Sequence, residues 1–164
     1  MRRILLIIFF VLITFLMEFL LFNLVGFRFT PNLLLILVIF FVLSLGTRYG
    51  LLTAIGAGLL RDSFDIGPLG VNVFSFMICA YITPFIRKYL YHTGSASSRL
   101  LLVFCVCLVN VGIHLFLYMK FGPVNIMDVF KFVLLPEVLS TLVVANGSIE
   151  VFRKCASRSF ASLS

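Results

Sequence analysis

Only 12% of this 164-residue chain is charged, only six residues are acidic, and tryptophan is absent. The scarcity of charge excludes an ordinary soluble domain. With 62% of residues hydrophobic, 20 phenylalanines among them, and a mean hydropathy of +1.21, there is too little polar surface to cover the apolar part, so the solvent must be largely lipid. Catalytic signatures are missing too: there is no Gly-x-Ser-x-Gly turn, no His-Glu-x-x-His helix and no phosphate-binding glycine loop. Cys79, Cys105, Cys107 and Cys155 match no metal or redox spacing and read as small hydrophobes. Asp62 and Asp65 have a spacing that could hold a cation on a diphosphate lipid, but only Arg61 is near, where such sites recruit more carboxylates and a basic cluster. Enzymatic activity, a metal and a cofactor are therefore not expected. The missing tryptophan weakens the interfacial belt, although Tyr49, Tyr89, Tyr91 and Tyr118 fall near the ends of apolar runs.

What is present is a succession of apolar runs. A hydrocarbon layer of roughly 30 Å takes about 20 helical residues, fewer where neighbours shield a short helix. Spans are predicted at 4–25, 31–45, 50–64, 71–91, 100–119 and 127–152, with a short basic tail at 153–164, in a single integral membrane domain. Fusing the second and third would give a helix of roughly 50 Å, and residues 46–50, with a glycine at each end, are expected to break it. Charge agrees. With six spans and the N-terminus inside, Arg2, Arg3, Arg48, Arg87, Lys88, Arg99, Arg153, Lys154 and Arg158 are cytoplasmic, and fusion would export most of them. The expected fold is an all-α polytopic six-span bundle with both termini in the cytoplasm. The first run continues past Glu18 to Val25 with no small-residue cleavage site after it, so it reads as a retained anchor. The net charge of +7 is orientation charge facing anionic lipid, and nucleic acid is not an expected partner.

Polar residues inside the spans are expensive without a partner or a function. Glu18 lies roughly 10 Å below the outer interface on helical rise, either hydrogen-bonded within the bundle or in contact with a ligand or partner. Asn110 and His114 share one face of span five, which they turn inward; Asn110 is expected to make an interhelical hydrogen bond. Pro136 is expected to kink span six beside Glu137, either packed against the bundle or lining a cavity. Asn146, Gly147 and Ser148 spell a glycosylation acceptor, but near the cytoplasmic end.

The stretch 48–72, RYGLLTAIGAGLLRDSFDIGPLGVN, is the least uniform part of the chain. Gly50, Ala54, Gly58 and Asp62 recur every four positions, forming a small-residue packing stripe that ends in a carboxylate and suits a short third span enclosed by the others. Gly67, Pro68, Leu69 and Gly70 make a sharp turn into span four, where Asn72 can offer both donor and acceptor. Two readings stand: a tight loop pinned by Asp62 and Asn72, or a partner-binding surface formed by Asp62, Gly67, Pro68, Leu69, Gly70 and Asn72.

Pro31-Asn32 before an apolar run, a glycine-rich helix, an Asp, a Gly-Pro-Leu-Gly turn with a following Asn, and a basic exit at Arg87 and Lys88 together resemble the bacterial rod shape-determining protein MreD family. The motif spans roughly 31–88 and the length agrees throughout; Glu137 after Pro136 lies outside the pattern. The resemblance implies a non-enzymatic scaffold or regulatory subunit of the cell-elongation machinery in the bacterial inner membrane. Its partners would be an MreC-like membrane protein and, indirectly, an MreB-like filament and the peptidoglycan polymerase and transpeptidase. The family is also similar in fold to the substrate-binding subunits of energy-coupling-factor transporters, so the runner-up is a vitamin-capture subunit. Those carry an Ala-x-x-x-Ala-like groove on the first span, whereas this first span has no Ala and no Gly before Gly26.

Overall fold

The computed structural model describes residues 2–25, 30–64, 69–90, 96–121, 136–145, 147 and 148. Their regular structure is entirely helical: α1 Arg2–Val25, α2 Leu33–Leu45, α3 Thr47–Asp62, α4 Val71–Leu90, α5 Ala96–Phe121 and α6 Pro136–Ala145. Among these, Ile4–Leu24 and Ser97–Leu117 are long and apolar enough to cross a membrane. Leu5, Phe9, Leu16 and Leu20 on α1 and Phe116 on α5 are exposed, an outward apolar surface that suits lipid and not water.

The enclosed helix is α2, not α3 as the stripe of small residues had suggested. All ten residues from Leu33 to Val42 are buried, and the helix packs against α1, α3, α4 and α5. Lipid would accept the same apolar side chains, so it is packing on four neighbours, and not composition, that puts this helix at the centre. On α3 only the side that carries Gly50, Ala54 and Gly58 is buried; Leu52, Ile55 and Leu59 on the other are exposed.

The break between α2 and α3 is narrower than expected. Gly46 alone, at φ 91°, reverses the chain, because a residue without Cβ enters the left-handed region at little cost. Helix α3 therefore starts at Thr47, and Gly50 is a contact residue inside it: a Cβ there would collide with Val42 of α2. Ala54 is fully buried. At Gly58 a Cβ would lie 2.5 Å from Val73 Cα on α4. The stripe thus brings α3 against two helices, α2 at one end and α4 at the other. Helix α5 extends beyond the predicted 100–119 at both ends, and the residues before Pro136, on which the expected kink depends, lie outside those described.

Gly58→Ala should lower stability by about 1–3 kcal/mol, since backbone cannot yield as a flexible side chain can. Gly56→Ala, two residues away with nothing within 4 Å, is the control. Melting of the two variants in detergent checks this, with Gly56→Ala expected to remain at or above the parent value.

Candidate functional site

The polar residues of the bundle gather where α1 ends, α2 begins, α3 ends and α4 begins, and α6 brings its first turn to the same end. Adjacent residues on a helix point about 100° apart, so Arg61 and Asp62, at the close of α3, serve different neighbours.

Asp62 is buried and turns to α4. Its Oδ1 accepts from the Asn72 backbone N–H and from Asn72 Nδ2, both at 3.0 Å. Its Oδ2 accepts from the N–H groups of Gly70 at 3.0 Å and Val73 at 3.2 Å. These backbone groups belong to the first turn of α4 and the residue before it, donors that have no partner within the helix. A carboxylate there also meets the positive end of the helix dipole. Asp62 is in effect an N-terminal cap supplied by another helix, and Gly70, at φ 98°, gives the chain the reversal that aims these N–H groups at it. Asn72 is only 2% exposed, whereas Leu69 is 84% exposed. Within the candidate partner-binding set, Asp62 and Asn72 thus shape the turn and Leu69 is presented by it. Gly67 and Pro68 lie outside the described residues.

Arg61 turns to α1 and α6. Its Nη1 lies 2.9 Å from Glu18 Oε1 and its Nη2 lies 2.7 Å from Glu137 Oε1, so one planar fork joins two carboxylates from helices distant in sequence. The start of α2 completes the group. Leu34 N–H donates to Glu18 Oε2 at 3.1 Å, and Asn32 Nδ2 donates to Glu137 Oε1 at 2.9 Å. Asn32 also caps its own helix, its Oδ1 accepting from Leu35 N–H at 3.0 Å, while its N–H donates to Thr141 Oγ1 at 2.9 Å. The first-turn N–H groups of α2 are all engaged: Leu33 with Pro31 O, Leu34 with Glu18, Leu35 with Asn32 Oδ1, and Ile36 with Asn32 O. This explains Pro31-Asn32 physically. A helix that begins in the interior needs a cap for its donors, and a residue before the cap that has no N–H of its own to satisfy.

A cavity of about 220 Å³ lies against this group, lined by Phe15, Phe19, Phe22 and Phe64, by Thr30, and by Glu18, Arg61 and Glu137. Phe64 packs on Phe15 and Phe19, with ring centroids 5.0 and 6.0 Å apart. The walls are thus aromatic and the floor charged.

Asn110 and His114 do share a buried face of α5. Asn110 Oδ1 accepts from Ser75 Oγ on α4 at 2.6 Å, an interhelical bond within the bundle and away from the cavity lining. Among the described residues no three metal-ligating side chains come together.

The role of Arg61 escaped the sequence. In the chain it stands only as the basic residue beside Asp62, and adjacent helix positions turn the two to different neighbours. The usable signal was depth: Glu18 and Glu137 each need a cation within a membrane, and Arg61 lies near the end of a helix at a matching level.

A family model described as rod shape-determining protein MreD matches residues 1–147. No curated protein and no solved structure matches the chain, so the likeness to energy-coupling-factor subunits rests on the sequence resemblance alone.

Proposed function

The chain belongs to the MreD family of rod shape-determining proteins, and from that premise we propose that it is a non-enzymatic membrane scaffold of the cell-elongation machinery that holds an MreC-like membrane protein. Through that partner it would connect to an MreB-like filament and to the peptidoglycan polymerase and transpeptidase. We read the bundle as six spans in the bacterial inner membrane with both termini in the cytoplasm. In support, Arg87 at the end of α4 donates to Leu43 O at the end of α2, at 3.4 Å. Those two helix ends therefore lie together, and the basic residues Arg48, Arg87 and Lys88 gather at the end of the bundle remote from Asp62. The Asp62 end is then the outer one.

The observation that carries the scaffold reading is the Asp62 cap. A turn that donates four hydrogen bonds to a buried carboxylate is fixed before any partner arrives, so little ordering entropy remains to oppose association. In this turn stands Leu69, a large apolar side chain that is 84% exposed. Rigid presentation of an apolar anchor beside a polar rim is what a docking surface requires. The vitamin-capture alternative has no comparable support, and the family match speaks for shape determination.

Purification of the tagged protein from its own membranes tests the proposal. An MreC-like protein should be recovered with it; recovery of a transporter module with a bound vitamin, and no such partner, would overturn it.

A further inference from the structure

The cavity beside Arg61 has an imbalance of charge. Among the described residues its lining carries two carboxylates, Glu18 and Glu137, and one guanidinium, Arg61. Glu18 uses both oxygens, on Arg61 and on Leu34 N–H. Glu137 turns only Oε1 to Arg61 and Asn32, and its Oε2 accepts no hydrogen bond from the described residues. An acceptor with excess negative charge therefore borders a space of about 220 Å³ walled by four phenylalanine rings, whose faces attract cations through their quadrupole. The fitting ligand group is a compact cation with N–H bonds to donate.

The surroundings narrow the choice further. Glu18 lies seven positions before Val25, where α1 ends, about 10 Å along the helix axis and so on the acyl-chain side of the outer interface, where a head group must reach inward to meet it. The rings of Phe19, Phe22 and Phe64 are exposed, as are Leu16 and Leu20 along α1. A ligand entering there arrives across an apolar surface and must itself be amphiphilic. We propose that this cavity is a lipid site that takes the primary ammonium of an aminophospholipid head group. The ammonium donates to Glu137 Oε2 between the phenylalanine rings, while the acyl chains follow the outward face of α1. Phosphatidylglycerol brings only neutral hydroxyl donors on a net anionic head group, a weaker match to a carboxylate than an ammonium; choline has no N–H to donate.

The inference rests on the membrane reading of the chain and not on the identity of its protein partner, so failure here leaves the co-purification result untouched. Native mass spectrometry of the full-length protein, loaded with dioleoyl phosphatidylethanolamine, phosphatidylcholine or phosphatidylglycerol, provides the test. Phosphatidylethanolamine should be retained about tenfold over the other two, a ratio that one charge-assisted hydrogen bond readily supplies. Glu137→Gln should abolish the preference. Because that substitution also loosens Arg61, Phe64→Ala provides a second variant, which removes an exposed wall and leaves the ion pairs intact; it should weaken retention of phosphatidylethanolamine several-fold. Retention of either phosphatidylcholine or phosphatidylglycerol by the parent protein equal to that of phosphatidylethanolamine overturns the proposal. So does a preference unmoved by both substitutions, or a photo-crosslinker at Phe19 that captures polypeptide and no lipid.

Discussion

Arg61→Met should destabilise the protein by about 3 kcal/mol, the low end of the range for removing one partner from a buried ion pair, because these pairs are only partly buried. The substitution retains an apolar stem of similar length and deletes only the fork. Two carboxylates, Glu18 and Glu137, are then left within reach of one another without their shared cation, held by the N-terminus of α2 and by Asn32. Neither is much exposed, at 14% and 18% of the side chain, so water cannot take over the role of the guanidinium. Since marginal stability is the rule, the expected readout is near-complete loss of folded protein from membranes. Removing all three charges together, as Glu18→Gln, Arg61→Met and Glu137→Gln, eliminates the uncompensated charge, and replacing an entire buried ionic group is often close to neutral. The triple variant should therefore recover most of the folded protein. A triple variant as depleted as Arg61→Met would show that packing of the Arg61 stem, and not charge, governs stability there.

Asp62→Ala should cost about 3 kcal/mol, because three backbone N–H groups and one amide lose a charged acceptor in a single step and each buried donor left alone is penalised. Asp62→Asn separates charge from shape. Its single acceptor oxygen can keep part of the pattern, while its amide hydrogens point at donors, so an intermediate loss is expected. Thermal melting in detergent should rank the three proteins as parent, Asn, Ala. The effect should concentrate at the start of α4, where slower hydrogen exchange at Gly70, Asn72 and Val73 in the parent than in either variant would locate it.

The helix order could be read from the chain because apolar run length and charge placement are properties of sequence alone. Gly46 ended one helix as glycine should, and the small residues at 50, 54 and 58 marked a close approach before any neighbour was known. Which helix lay at the centre could not be read in the same way. Leu33–Val42 and the first run are similarly greasy, and lipid and protein interior favour the same side chains. The polar group was hidden for a different reason: Arg61 reaches back 43 residues and forward 76 to find its partners, and Asn32 meets Thr141 across 109. Contacts of that separation are set by packing, which no local pattern encodes. The pairing of Asp62 with Asn72 spans only ten residues, which is why the turn could be anticipated.

These two polar groups have distinct duties in this account. Arg61 ties α1 and α6 to α3 and floors the cavity, while Asp62 fixes the turn that presents Leu69. The most direct test of the scaffold claim is the amount of MreC-like partner recovered per molecule of a Leu69→Arg variant purified from membranes. Leu69 is 84% exposed, so the variant's own membrane level should equal that of the parent. Partner recovery should fall about tenfold, the loss expected when an apolar anchor worth roughly 1.4 kcal/mol or more is removed from an interface. Undiminished recovery of the partner with Leu69→Arg, at unchanged membrane level, would contradict the account.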